Sequence, residues 1–77
     1  MKISEAQNIY RAHRQELIDQ TRNLIRQREE AQHKYHATGS VEFSEQAVTL
    51  QLSVDAVREK FEENEKILDE LERREQG

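Results

Sequence analysis

The chain has 77 residues, of which 36 % are charged and 34 % hydrophobic, and it carries a net charge of −4 without any cysteine or proline. A chain this short forms one domain at most and buries only about 60 % of its surface. The missing cysteines exclude disulfide bonds and cysteine-based zinc sites. The N-terminal segment has no apolar signal core, and no stretch approaches the roughly 18 apolar residues that cross a bilayer. We therefore expect a cytoplasmic protein with no membrane partner, although secretion by a signal-free route stays open.

The first predicted element is a helix over residues 4–36. Ser4 followed three residues later by Gln7 is a capping-box pattern, which is typical of a helix start. Apolar residues then recur every seven positions, as on one side of a coiled-coil helix. They are Ile3, Tyr10, Leu17, Leu24 and Ala31, and the column predicted to alternate with them is mostly polar: Ala6, His13, Gln20, Gln27 and Lys34. The first helix should therefore supply the weaker half of any helix–helix seam.

A turn is predicted over residues 37–43. Gly39 adopts the left-handed conformation that ends helices at no steric cost. Both Ser40 and Ser44 are candidates for the N-cap of the next helix. Ser44 is favoured because Glu45 would then lie in the first turn, where the helix dipole favours a negative charge.

The second predicted element is a helix over residues 44–75. Its apolar stripe alternates steps of four and three residues, which is the a/d spacing of a helix that packs along a partner helix. The stripe comprises Phe43, Ala47, Leu50, Val54, Val57, Phe61, Asn64, Leu68 and Leu71. Within it, residues 48–54 also alternate with the period of two that is typical of strands. A helix is favoured because the heptad passes through this segment without changing phase.

Two helices of similar length around one glycine predict an all-α fold, an antiparallel two-helix hairpin comprising the single domain 1–77. In this register, facing residues have numbers that sum to about 80. The predicted hairpin seam consists of Tyr10, Leu17, Leu24, Phe43, Leu50, Val54, Val57, Phe61, Asn64, Leu68 and Leu71. A buried asparagine in such a seam fixes register at a cost in stability. His13 or Gln20 could supply its hydrogen-bond partner, and a half-exposed asparagine at a loosely packed end is the open alternative.

The charges are distributed unevenly between the two halves. Residues 1–36 carry seven Lys or Arg against five acids, and residues 37–77 carry five against eleven. The first half is therefore net basic and the second net acidic, so we expect the two helices to attract one another. Exposed ion pairs contribute at most about 1 kcal/mol each, so this attraction orients the helices more than it stabilises them.

The sequence lacks a complete set of residues for a metal site or for a catalytic site. Glu30-x-x-His33, with His36 one turn further on, matches the spacing in di-iron helical bundles, but the second helix has no histidine and the ligand set is incomplete. Four of the sixteen acidic residues sit four residues before a base, as is usual on exposed helix faces. These pairs are Glu30–Lys34, Glu62–Lys66, Asp69–Arg73 and Glu70–Arg74. We expect no enzyme activity, no cofactor and no metal.

Apolar residues outside the seam predict an interaction surface. Ile18 and Ile25 stand beside the seam of the first helix, and Val48, Leu52 and Ala56 line a second face of the other helix. A contiguous exposed apolar patch on a small protein usually marks an interface. We expect it to be covered by a second copy, giving a homodimer and a four-helix bundle, or by the helix of another protein in a hetero-complex.

These observations favour a non-enzymatic helical-hairpin interaction module, such as an adaptor, chaperone or assembly subunit. The alternative is a small helical regulator or nucleic-acid-associated factor that uses the arginine-rich face of the first helix, although the acidic second helix disfavours nucleic acid. The outline is similar to several bacterial helical-hairpin groups, but Thr38-Gly39-Ser40 is not the Trp-x-Gly turn of WXG proteins, so no family is assigned. The stripe runs almost to the C-terminus, which the N-terminal hairpin of a longer protein would also show.

Overall fold

Two long helices joined by a tight turn make up the fold. The structure, a computed structural model, describes residues 2–76. Helix α1 spans Ile3–Thr38 and helix α2 spans Val41–Gln76, each with 36 residues. The helices pack against one another as a rod of 57 × 16 × 14 Å, and residues 2–76 contain no strand. The predicted all-α hairpin is confirmed.

Helix α1 begins at Ile3, and the predicted capping box at Ser4 is wrong. Lys2 is the N-cap residue and its side chain makes no capping hydrogen bond. Ser4 lies within the first helical turn. Gln7, the expected partner of Ser4, is 3 % exposed, and its Nε2 donates instead to Glu75 Oε2 of α2 at 2.7 Å. The glutamine faces the other helix, so its amide is used between helices and not at the helix end.

The turn contains two residues, Gly39 and Ser40, and is shorter than the predicted span 37–43. Gly39 has φ 69° and ψ 10°, and its N–H donates to the carbonyl of Tyr35 at 2.7 Å. This left-handed residue reverses the chain at once, as in other glycine-ended helices. Helix α2 therefore starts at Val41, so Ser44 lies inside it and is not its N-cap.

Helix α2 runs without interruption through residues 48–54, so the helical interpretation of that alternating segment is confirmed. Its heptad stripe lies against α1 over the whole length. Every member is buried or half-buried: Phe43, Ala47, Leu50, Val54, Val57, Phe61, Asn64, Leu68 and Leu71.

Helix α1 presents a different polar column from the predicted one. Tyr10, Leu17, Leu24 and Ala31 are buried or half-buried, and the residues that alternate with them at the seam are Gln7, Arg14, Thr21 and Arg28. The predicted His13, Gln20, Gln27 and Lys34 are exposed. The predicted column lies three residues after each apolar residue and the observed column lies four residues after it, and both spacings fit the same heptad. The observed rotation of α1 also half-buries Ile18 and Ile25, which the other choice would leave in water.

The apolar core is small. Four hydrophobic side chains are buried among the described residues: Leu17, Ala31, Val54 and Leu68. The rest of the seam is half-buried because a two-helix rod covers each helix on one side. Neither described helix is long and apolar enough to cross a membrane.

Candidate protein-interaction surface

The helices are held in register by polar contacts at the seam, and the strongest joins Arg14 to Glu65. Arg14 Nε donates to Glu65 Oε1 at 2.5 Å and its Nη2 donates to Oε2 at 2.9 Å, which is a bidentate pair. These hydrogen bonds raise the pKa of the Arg14 guanidinium. Both side chains are about one-third exposed, so water screens the pair and its contribution stays at or below about 1 kcal/mol.

A second polar contact crosses the seam closer to the turn. Arg28 Nη1 donates to Gln51 Oε1, and Gln51 Nε2 donates in turn to Asp55 Oδ1 at 3.0 Å. The Arg28 Nε atom is buried and has no hydrogen-bond partner among the described residues. Arg28 is thus held by one end of its guanidinium, whereas Arg14 is held by two hydrogen bonds.

Asn64 is the buried polar residue of the α2 stripe, at 3 % exposure. Its Nδ2 donates to the backbone carbonyl of Tyr10 at 2.9 Å, whereas its Oδ1 has no partner among the described residues. The expectation that His13 or Gln20 would pair with Asn64 is wrong, because both are exposed. The alternative of a half-exposed asparagine is also wrong. The Asn64 side chain is thus hydrogen-bonded to the backbone of α1, and this bond fixes the axial position of one helix against the other.

The hairpin has two long sides, each with a groove between the helices. The groove on the first side, which we call the Val48 face, is lined by Arg28, Gln32, Tyr35, His36, Ser44, Ala47, Val48 and Gln51. The groove on the opposite side, the Gln46 face, is lined by Gln27, Glu42, Glu45, Gln46, Thr49 and Leu50. Residues seven positions apart lie in one row along a packed helix, so these linings assign the remaining surface residues to a face.

Exposed apolar side chains of α2 collect on and beside the Val48 face. Val41, Val48 and Leu52 are 67 %, 59 % and 64 % exposed. Val41 and Val48 are seven residues apart. Leu52 is one turn beyond Val48 and seven residues after Glu45, which lines the Gln46 face, so it lies at the outer edge of the Val48 face, about 40° around the helix from Val48. Ile25 and Ile18 of α1, in the row of Gln32, are half-buried on this face. We call these five residues the apolar patch.

Sequence reasoning missed Val41, and Ala56 lies farther from Val48 around the helix than Leu52 does. Val41 was assigned to the turn, and its exposure follows from the early start of α2. Ala56 is exposed but stands seven residues after Thr49, which lines the Gln46 face. Eight residues separate Ala56 from Val48, and at about 100° per residue the two point some 80° apart.

Two further isoleucines are exposed near the open end of the hairpin. Ile9 is 54 % and Ile67 is 40 % exposed, so neither is covered by the other helix. They line separate shallow depressions, Ile9 on α1 and Ile67 on α2. Single exposed hydrophobic residues are normal on protein surfaces and indicate no site by themselves.

Among the described residues, one salt bridge joins the net basic helix to the net acidic helix, Arg14–Glu65. Of the pairs predicted within helices, Glu70–Arg74 forms at 3.3 Å, and Arg73 also approaches Glu70 at 3.9 Å. Arg28 bonds an amide and not a carboxylate. The predicted attraction of the two helices is therefore realised at one point, and most of the charges of both signs remain at the surface.

The candidate metal residues do not come together. His33 and His36 are exposed near the turn, and His13 pairs with Glu16 of the same helix at 3.6 Å. Residues 2–76 hold no group of three or more histidine, aspartate or glutamate side chains arranged for a metal ion. What the arrangement offers chemically is an open apolar patch with charged neighbours, which suits the binding of another helix.

Comparison of the chain with family models, with curated proteins and with solved structures finds no match.

Proposed function

We propose that the protein is a non-enzymatic helical interaction module of the cytoplasm that binds a partner helix, either that of a second copy or that of another protein. The observation that carries this proposal is the apolar patch. Val41, Val48 and Leu52 are each more than half exposed, within about three turns of one helix. Burial of such side chains yields about 1.5–3 kcal/mol each, which gives a partner a reason to bind there.

The half-polar seam supports the same proposal. In α1, four of the positions facing α2 are polar: Gln7, Arg14, Thr21 and Arg28. These positions set the alignment of the helices but bury little apolar area. A hairpin of this kind gains from further apolar burial on its outer side, because a core of this size supplies only a few kcal/mol.

The test is a comparison of Leu52→Glu with Ile67→Glu. Both substitutions place a charge at an exposed apolar position of α2, but only Leu52 belongs to the patch. Sedimentation equilibrium should show self-association of the unchanged chain that Leu52→Glu abolishes and Ile67→Glu preserves. If the chain is monomeric, an apolar fluorescent dye should bind it and bind the Leu52→Glu variant several-fold less. Association that survives Leu52→Glu, or a monomer that binds no dye, overturns the proposal.

A second candidate function rests on Arg11, Arg22 and Arg26, which are exposed on α1 and form no salt bridge within residues 2–76. Free arginines on one helix are what a phosphate-binding regulator would present. The acids of α2 on the same side weaken that field, so we rank this function second. Retention on heparin that falls steeply between low and high salt would favour it over the interaction module.

A further inference from the structure

We propose that the occupant of the apolar patch is a second copy of this chain, packed along the Val48 face with both turns at the same end. In this arrangement, α1 of each copy lies against α2 of the other. The inference rests on the proposed interaction function and adds to it the identity of the partner and its orientation.

Surface area is the first argument for a second copy. The chain exposes 5916 Å². A compact protein of its mass, 9.2 kDa, exposes about 4,900 Å², and a compact dimer about 8,200 Å². Two rods that packed into such a compact dimer would bury at most roughly 3,600 Å² in total, and this upper bound lies within the range of obligate homodimers.

Stability points the same way. Small domains with few buried side chains usually depend on disulfides, a metal or association. The chain has no cysteine, its described part has no metal cluster, and its buried apolar core is four side chains. Association with a second copy is always available to the protein, whereas a different partner must be supplied.

Charge on the Val48 face selects the second copy and its orientation. In α2, the row that continues from Val41 and Val48 is acidic: Asp55, Glu62 and Asp69. In α1, Arg11 lies in the row of Ile18 and Ile25, and Arg22 lies in the row of His36. All of these charged side chains are exposed, and within residues 2–76 none forms a salt bridge. Each helix also carries one charge of opposite sign on this face, Glu29 in the row of His36 and Arg58 in the row of Gln51, and neither reverses the sign of its helix there.

The chain thus carries both halves of a complementary surface. With the two-fold axis along the rod, residues equally far from the turn share one level in both copies. Arg11 then lies level with the partner subunit's Asp69, which places one pair of opposite charges together. Arg22 lies level with the partner subunit's Arg58 and one helical turn from the partner subunit's Glu62, so it adds no clear ion pair. The opposite orientation packs α1 on α1 and α2 on α2, which places like charges together and costs binding energy.

The test is charge reversal at Arg11 and Asp69, followed by sedimentation equilibrium. Arg11→Glu and Asp69→Arg should each weaken self-association about tenfold, and the double variant should recover to within about threefold of the unchanged chain. Glu63→Arg is the matched control. It makes the same charge change, but Glu63 lies in the row of Thr49 and Ala56 on the Gln46 face. It should leave the dissociation constant within about twofold.

The orientation of the two copies is measured separately, as the distance between spin labels attached to Glu5→Cys. Glu5 is exposed near the open end of the hairpin, and the chain has no cysteine of its own. Turns at the same end place the two labels within about 35 Å, whereas opposed turns place them beyond about 45 Å, since 36 helical residues span about 54 Å. A monomer at all concentrations, or a dimer with distant labels, overturns this inference. A third result would overturn it too: a dimer that Leu52→Glu dissociates but whose dissociation constant neither charge reversal changes. That result would leave the proposed function intact.

Discussion

Leu17 and Leu68 are each 1 % exposed and Val54 is fully covered, so a few side chains account for most of the close packing in this molecule. Around them, the seam is a series of specific polar contacts. Gln7, Arg14 and Arg28 each reach a different residue of α2. At the residue scale, stability and register therefore depend on different positions.

Truncation of Leu17 should separate the core from the surface. Leu17→Ala removes a fully buried side chain from a core that cannot collapse around the gap, so we expect a loss of about 3 kcal/mol in the free energy of unfolding. Ile9→Ala, at a 54 % exposed position of the same helix, should change it by less than about 0.5 kcal/mol. Urea denaturation measures both. Equal losses would show that Leu17 is not in the core.

Asn64 offers a test of register. Asn64→Leu removes a buried oxygen that has no partner, and the Tyr10 carbonyl keeps its bond within α1. We expect the free energy of unfolding to rise by about 1 kcal/mol, with a changed association state or a looser alignment of the helices. Asn64→Ala should lower stability instead, because it leaves a gap. A lower melting temperature for Asn64→Leu would count against a role in register.

At the element scale, the reversal of the chain between the two helices depends on the left-handed backbone conformation of Gly39. No atom lies within 4 Å of a Cβ placed on Gly39, so substitution there meets no clash and its cost is purely that of the backbone conformation. Gly39→Ala should therefore destabilise the hairpin by about 1–2 kcal/mol. Gly39→Asn should cost less, because asparagine tolerates φ of 69° better than alanine does. Thermal unfolding of the two variants gives the order, and an equal effect would contradict the assignment.

At the scale of the whole molecule, the shape itself makes a prediction. Circular dichroism should show a helix content far above one half, given the lengths of α1 and α2. Small-angle scattering on the associated protein should give a longest dimension near that of the 57 Å rod, with a thicker cross-section. Copies packed end to end would nearly double the length, and that result would exclude side-by-side packing.

The sequence by itself determined the helices, the site of the turn and the stripe of α2. Heptad spacing depends on the helical period alone, and Gly39 is the one residue in mid-chain that reverses direction without strain. Two of the three α2 residues of the apolar patch, Val48 and Leu52, were found from the same heptad spacing, because they are apolar but do not fit the stripe; Val41 was missed because it was assigned to the turn.

The tertiary structure alone decided the rotation of α1, the use of Gln7 and the partner of Asn64. Two polar columns satisfy the heptad of α1 equally well, and the choice between them depends on how much of Ile18 and Ile25 the packed hairpin covers. Gln7 has a local partner in the capping box and a distant one in Glu75, and its burial at the seam favours the distant one. Asn64 bonds a backbone carbonyl, an acceptor that every residue carries, so no sequence pattern could single out Tyr10.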